Sequence, residues 1–140
     1  MAGNRIVLDS GAITALANGE EAIRFATARA LKQRIPIIIP TVVVAESTTT
    51  GRPQDSAVNR ALTVGAVVDC DLTIARAAAA IRYRDGAQTG VIDAIVVATA
   101  DQIPGSVILT GDVGDLRRLA GVRGISRVLD FTQLSDGGAS

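Results

Sequence analysis

Short apolar runs alternate with longer segments of helical periodicity along most of the chain. The runs are rich in Val and Ile and show no polar alternation, which is typical of strands buried on both faces of a parallel sheet. The longer segments repeat their apolar residues every three or four positions, as amphipathic helices do. The pattern predicts strands over Arg5–Leu8, Ile35–Ile39, Ala66–Cys70, Ser106–Leu109 and Ile125–Leu129.

Helices are predicted between these strands. The segment Thr41–Thr49 is ambiguous, because its β-branched residues favour a strand whereas a preceding proline can start a helix; we favour the helix. Asp71 is a plausible N-cap for the helix that follows it. The predicted helices are Ser10–Asn18, Glu20–Arg34, Thr41–Thr49, Gln54–Val64, Leu72–Arg84, Val91–Ile103 and Asp115–Leu119.

Two of these helices have apolar positions that predict a buried face. In Glu20–Arg34 these positions are Ala22, Ile23, Ala26, Ala30 and Leu31. In Leu72–Arg84 they are Ala75, Ala78, Ala79 and Ile81.

The alternation of strands and helices predicts a single α/β domain. We expect a three-layer α/β/α arrangement, with a central, mostly parallel sheet of four to five strands. The domain is expected to cover residues 1–134, followed by a short flexible tail over residues 135–140. The 140 residues are enough for one domain of ordinary size.

Composition removes several kinds of chemistry. The chain has no His and a single Cys, Cys70, so catalysis by His and zinc sites built from His or several Cys are excluded. Any metal must bind to oxygen atoms, which favours Mg²⁺ or Mn²⁺. The lone Cys, the lack of a signal segment and the lack of a membrane-length apolar run fit a cytoplasmic protein.

Four carboxylates stand out by their surroundings. Asp9 directly follows the first predicted strand and Asp112 lies just beyond the fourth, and functional groups collect at such strand ends in parallel sheets. Asp93 and Glu46 interrupt apolar segments, where a charge is costly unless it is paired or bound to metal. For each acid alone a structural role remains open, as a helix cap, a helix-start charge or a solvated side chain.

Other phosphate chemistries lack their signatures. The sequence contains neither G-x-x-x-x-G-K-[ST] nor G-x-G-x-x-G. A phospho-receiver domain would need a lysine after its last strands, but the only lysine is Lys32, in the first half of the chain. Equal numbers of basic and acidic residues, 14 each, mean that nucleic acid would have to bind a local basic patch.

Four segments, in order, resemble the acidic motifs of PIN domains: IVLDSGAITAL, VVVAES, VIDAIVVATA and ILTGDVGDL. The resemblance runs from about Arg5 to Leu129 and is closest to the VapC toxins of bacterial toxin–antitoxin pairs. It implies that four acids coordinate Mg²⁺ or Mn²⁺ and serve catalysis, that a fifth assists as a ligand, and that two hydroxyls orient the acids. The four ligands are Asp9, Glu46, Asp93 and Asp112, the assisting acid is Asp115, and the two hydroxyls belong to Ser10 and Thr110. Gly90 and Gly114 stand where relatives often carry another acid.

The same resemblance implies an endoribonuclease that cleaves structured RNA, tRNA or rRNA, and so inhibits translation. It also implies a VapB-like antitoxin as partner, a homodimer, and a heterotetramer or larger assembly with that antitoxin. The alternative is a catalytically weak PIN-fold protein that acts as a partner-binding module. The candidate RNA-binding residues are Arg82, Arg84, Arg117 and Arg118, each of which could equally be a solvated helix end.

Overall fold

The central element is a five-stranded sheet in which every strand pair is parallel, with order β3-β2-β1-β4-β5. The computed structural model describes residues 5–48, 51–53, 55–86, 90–123 and 126–133. The strands are β1 (Ile6–Leu8), β2 (Ile37–Pro40), β3 (Ala66–Val68), β4 (Val107–Thr110) and β5 (Arg127–Asp130). The predicted parallel α/β sheet is therefore confirmed, with five strands.

Helices connect the strands in the predicted order. They are α1 (Ser10–Ala17), α2 (Glu21–Lys32), α3 (Thr41–Ser47), α4 (Asp55–Ala61), α5 (Leu72–Arg84), α6 (Val91–Asp101) and α7 (Gly114–Arg123). Short 3₁₀ turns cover Leu62–Val64 and Phe131–Gln133. The ambiguous segment is a helix, and it begins directly after the buried Pro40, whose ring already has the φ of a first helical turn. Predicted positions at 49, 54, 125 and 135–140 lie outside the described residues.

Helices cover both faces of the sheet. On one face Val7 lies near Ile38 and Val68 and faces α5 and α6. On the other, Ile6 lies beside Val107 and looks toward α2. This is the expected three-layer α/β/α arrangement, and its apolar core explains why the strands lack polar alternation.

Two predicted helix faces are corrected by the structure. In α5, Ala75 and Ala79 are exposed and Ile74 is buried instead, because this rotation buries two large side chains, Ile74 and Ile81, rather than small ones. In α2, Leu31 is 54% exposed.

Thr27 occupies a buried position of α2 that the apolar pattern did not include. Its hydroxyl donates to the Ile23 carbonyl at 2.9 Å, so the polar group is satisfied within the helix.

The ends of most predicted elements also shift by a few residues. The second strand begins at Ile37 rather than Ile35, and the third ends at Val68, before Cys70, whose N–H donates to the Thr41 hydroxyl. Helix α7 runs to Arg123, beyond the predicted Leu119. No helix in the described part of the chain is both long and apolar enough to cross a membrane.

The strand order creates a crevice at the centre of the sheet. From β1 the chain adds β2 and β3 on one side, whereas β4 and β5 lie on the other. Segments that leave the carboxyl ends of β1 and β4 therefore diverge, and open α/β sheets bind ligands at such a switch point.

Candidate metal and catalytic pocket

A pocket of about 290 Å³ opens at the carboxyl ends of β1 and β4. Its walls come from these two strand ends and from α1, α3, α6 and α7. All five acids singled out in the sequence line it, together with both hydroxyl residues. The lining residues are Asp9, Ser10, Gly11, Glu46, Asp93, Thr110, Gly111, Asp112, Asp115 and Leu116.

Asp9 forms the floor of this pocket and is 8% exposed. One carboxylate oxygen accepts the N–H of Ala12 at 2.8 Å, so Asp9 caps α1 as well as facing the pocket. Burial raises the pKa of Asp9, and the charges of Asp93 and Glu46 raise it further, against hydrogen bonds from Thr110 and Ala12 that lower it. Asp9 thus has a structural role as a helix cap and also lines the pocket, while its role as a metal ligand stays a prediction.

Asp93 lies in the first turn of α6 and is half-buried. Its pKa is raised, first by burial and then by the negative charges of Glu46, Asp115 and Asp112. The repulsion shows that these carboxylates lie near enough to act on one another. A cation among them would relieve it.

Glu46 and Asp112 lie at the pocket rim and are exposed. Glu46 projects from α3, whereas Asp112 lies in the turn after β4. That turn is held by Thr110, whose hydroxyl oxygen accepts the Asp112 N–H at 3.1 Å. Gly114 N–H donates to the Asp112 carboxylate at 3.3 Å, which restricts its orientation.

Thr110 connects the two strand-end acids. It is buried at 1% exposure, and its single proton can go either to the Asp112 carbonyl oxygen, 3.1 Å away, or to the Asp9 carboxylate. Ser10, the first residue of α1, also lines the pocket. The orienting role of both hydroxyls stays a prediction.

Asp115 differs from the other pocket acids because a guanidinium is bound to it. Arg118 Nη1 lies 2.9 Å from Asp115 Oδ1, and Arg118 Nε lies 2.7 Å from Asp85 Oδ1. The sequence interpretation missed Asp85. Only the three-residue spacing of Asp115 and Arg118 on one helix could have indicated their pair.

The donor set of the pocket fits a hard divalent cation. Carboxylate oxygens are the ligands that Mg²⁺ and Mn²⁺ prefer. A bound cation would also reduce the repulsion between the pocket carboxylates. Among the described residues, however, no three acidic, His or Cys side chains are arranged as a ready metal cage. Mg²⁺ usually keeps several waters and few protein ligands, so an open acidic pocket suits it.

The four candidate RNA-binding arginines differ in surroundings. Arg84 and Arg117 are exposed, and Arg82 is half-buried. Arg118 is held by Asp85 and Asp115. Contact of any of them with RNA stays a prediction.

Several solved structures share this fold, among them a toxin–antitoxin complex. DNA-bound VapBC from Salmonella typhimurium aligns with a TM-score of 0.71 and 20% identity, over 91% of this chain and 98% of that one. A toxin–antitoxin complex from Klebsiella pneumoniae aligns with a TM-score of 0.65 and 21% identity, over 90% and 97%. FitAcB from Neisseria gonorrhoeae aligns with a TM-score of 0.63 and 17% identity, over 92% of this chain and 99% of that one.

Sequence comparison gives the family. No match was found among the curated proteins. The family model of the PIN domain matches residues 6–122, a span that contains all five pocket acids. The chain therefore belongs to the PIN domain family.

Proposed function

We propose that this protein is a Mg²⁺- or Mn²⁺-dependent endoribonuclease, the toxin of a VapBC-type toxin–antitoxin pair. One observation carries the proposal: Asp9, Glu46, Asp93, Asp112 and Asp115 line a single pocket at the switch point of a PIN-domain sheet. The chain has no His, and an acidic pocket without His suits phosphodiester hydrolysis assisted by a metal ion.

Each acid has a defined place in this proposal. Asp9, Glu46, Asp93 and Asp112 would hold the ion, which when bound polarises a phosphoryl oxygen and makes a water molecule more acidic. Asp9 is kept in place by the Ala12 N–H, and Asp112 by Gly114 and Thr110. These bonds reduce the reorganisation that binding of substrate would otherwise require.

The substrate and partners follow from the same proposal. RNA of the translation machinery, tRNA or rRNA, would be positioned by phosphate contacts of exposed arginines such as Arg84 and Arg117. The solved neighbours include DNA-bound VapBC and another toxin–antitoxin complex, which supports a VapB-like antitoxin as partner. Homodimerisation, assembly into a heterotetramer or larger complex, and a cytoplasmic location belong to the proposal as well.

Replacement of Asp93 by Asn tests the activity. Asp93→Asn keeps the size of the side chain but removes a charge that the proposed metal site needs. We expect RNA cleavage in Mg²⁺ to fall by about two orders of magnitude or more, the scale at which loss of one electrostatic group slows an enzyme. Asp69→Asn is the matched control, because Asp69 is exposed and outside the pocket. Equal cleavage by Asp93→Asn and wild type would refute the site.

A second function is supported by the guanidinium that is bound to one of the pocket acids. Because Asp115 binds Arg118 at 2.9 Å, the same acidic pocket could accept an arginine from a partner, as a binding module without catalysis would. Titration calorimetry on antitoxin-free protein separates the two functions. Heat of Mn²⁺ binding supports the nuclease, whereas no binding at millimolar Mn²⁺ favours the module.

A further inference from the structure

Arg118 is fixed by two acids from different parts of the fold. Its Nε and Nη2 atoms donate to the two carboxylate oxygens of Asp85, at 2.7 and 3.3 Å, across 33 residues of sequence. Its Nη1 atom donates to Asp115 at 2.9 Å. A guanidinium held by a two-pronged contact has little freedom to turn, because its donors are coplanar and rigid.

Asp85 is the anchor of this arrangement. Its side chain is only 6% exposed, compared with 44% for Arg118. A carboxylate that has lost most of its water needs a nearby cation or hydrogen-bond donors. Asp85 therefore supplies the larger part of the contacts that hold Arg118, through two hydrogen bonds compared with one from Asp115.

Asp115 is the pocket acid that could bind either of two cations, the Arg118 guanidinium or a divalent ion. It lines the acidic pocket but is 59% exposed, near the pocket entrance. While its carboxylate bonds to Arg118 Nη1, part of its charge is neutralised and one oxygen is engaged. A divalent ion in the pocket must then compete with an anchored guanidinium for this ligand.

We propose that Arg118 is a positioning residue that keeps Asp115 out of the metal-ligand set, which leaves Asp9, Glu46, Asp93 and Asp112 as the ligands. The inference rests on the proposed function, because it requires the pocket to bind a divalent ion. Arg118 thereby limits the charge that the pocket offers to that ion, and Asp85 is the residue that holds it in place.

A double-mutant cycle on Mn²⁺ affinity tests this assignment. The proteins are wild type, Asp115→Asn, Arg118→Gln and the double variant, measured by titration calorimetry without antitoxin. Asp115→Asn should change the Mn²⁺ dissociation constant less than about twofold in wild type, but weaken binding about fivefold or more in the Arg118→Gln background. Arg118→Gln alone should tighten binding about three- to tenfold, since a positive charge near the ion is removed and a carboxylate is released.

Arg117→Gln is the matched control for net charge. Arg117 is exposed on the same helix, so this substitution removes one positive charge but not the contacts to Asp85 and Asp115. It should change Mn²⁺ affinity less than Arg118→Gln does. If both substitutions tighten Mn²⁺ binding equally, the effect of Arg118→Gln is one of long-range electrostatics alone, and the proposal is overturned.

Loss of Arg118 also removes the cation bound to the buried Asp85 carboxylate, so stability must be followed separately. Asp85→Asn combined with Arg118→Gln also removes the buried charge of the Asp85 carboxylate. This double variant should bind Mn²⁺ as Arg118→Gln does and should be more stable than Arg118→Gln. The cycle with Asp115→Asn is then repeated in this background.

The two proposals fail in different ways. If Asp93→Asn leaves Mn²⁺ binding unchanged, the pocket is not the metal site and the proposed function fails. If Asp93→Asn weakens binding and Asp115→Asn weakens it as much in wild type, Asp115 is an ordinary ligand and only the role of Arg118 is refuted.

Discussion

Asp9 and Asp93 are charged groups in places that disfavour charge. Burial and neighbouring carboxylates raise the pKa of each, so their ionised forms reduce the stability of the folded chain. Asp9 recovers part of that cost by capping α1. A protein that tolerates such a cost commonly does so at a functional site.

Asp93→Asn should therefore stabilise the fold while it removes activity. The raised pKa of Asp93 means that its contribution to stability is largest below the unfolded pKa of about 3.8 and is lost as the pH rises through the folded value. With EDTA at pH 7 the melting temperature should rise by about 1–3 °C, a modest change because the half-exposed charge is screened by solvent.

At a pH near 3.5 the increase in melting temperature from Asp93→Asn should shrink, since the wild-type carboxyl is then largely protonated and therefore uncharged, like the asparagine. Thermal unfolding followed by circular dichroism at both pH values measures this. A lower melting temperature at pH 7 would show that the carboxylate stabilises the apo fold.

Thr110→Val removes a hydroxyl that serves both strand-end acids. The substitution keeps the shape but leaves the Asp112 N–H without its acceptor and leaves Asp9 with the Ala12 N–H but without the Thr110 hydroxyl as a donor. Unfolding free energy should fall by about 1–2 kcal/mol, the typical cost of an unmet polar group, and RNA cleavage should fall with it. Thr110→Ser restores the hydroxyl and should retain most cleavage. Full activity of the valine variant would show that the hydroxyl does not orient the acids.

At this scale the sequence predicted the pocket acids better than their ion pairs. Asp9, Glu46, Asp93 and Asp112 could be identified because each ends or interrupts an apolar segment. The contact of Arg118 with Asp85 depends on how the end of α5 meets α7, and no local pattern carries that information.

The elements follow the apolar pattern in kind and order, although helix faces do not follow it in detail. In α5 several rotations of the alanine-rich helix would match the apolar pattern almost equally well. Packing against α6 selects the rotation that buries Ile74. The start of α3 was easier to predict, because Pro40 and the residue after it give a local signal. Periodicity therefore identifies a helix more reliably than it identifies the inward face of an alanine-rich one.

Two glycines in different elements should respond to alanine in opposite ways. A Cβ at Gly65, just before β3, would lie 2.4 Å from the Ile37 carbonyl oxygen. Gly65→Ala must therefore force β2 and β3 apart, at a cost of about 2–3 kcal/mol. Gly121 lies within α7 with nothing within 4 Å of the added carbon, so Gly121→Ala should stabilise by about 0.5–1 kcal/mol. Urea unfolding of both variants checks the signs, and a stable Gly65→Ala protein would contradict the close approach of these strands.

The whole molecule is electrically neutral, yet five of its acids line one pocket. On the proposed function, neutrality would keep long-range attraction to RNA weak, and the main electrostatic attraction would be local, between the pocket and a divalent ion. Without a bound cation, the pocket carboxylates repel one another at the carboxyl ends of β1 and β4. Stability and metal binding should therefore be coupled.

Added Mn²⁺ should raise the melting temperature of the wild-type protein. At about one hundred times the dissociation constant the gain is about 2.7 kcal/mol, equivalent to several degrees for a domain of this size. Chelation by EDTA should reverse the shift, and NaCl of equal ionic strength should not reproduce it. Asp9→Asn combined with Asp93→Asn should abolish the response; a full response in that variant would place the ion elsewhere.

The two central strands have a consequence for synthesis of the protein. β1 lies near the start of the chain and β4 near its end, and they pair directly, Ile6 with Val107 and Leu8 with Leu109. A nascent chain on the ribosome cannot close this pair until β4 has emerged, and long-range pairings of this kind form slowly. Asp112 follows β4, so any truncated product that ends earlier lacks both a central strand and an acid of the pocket. On the proposed function, cleavage activity would appear only after β4 and Asp112 have been synthesised, and products that end before them would be inert.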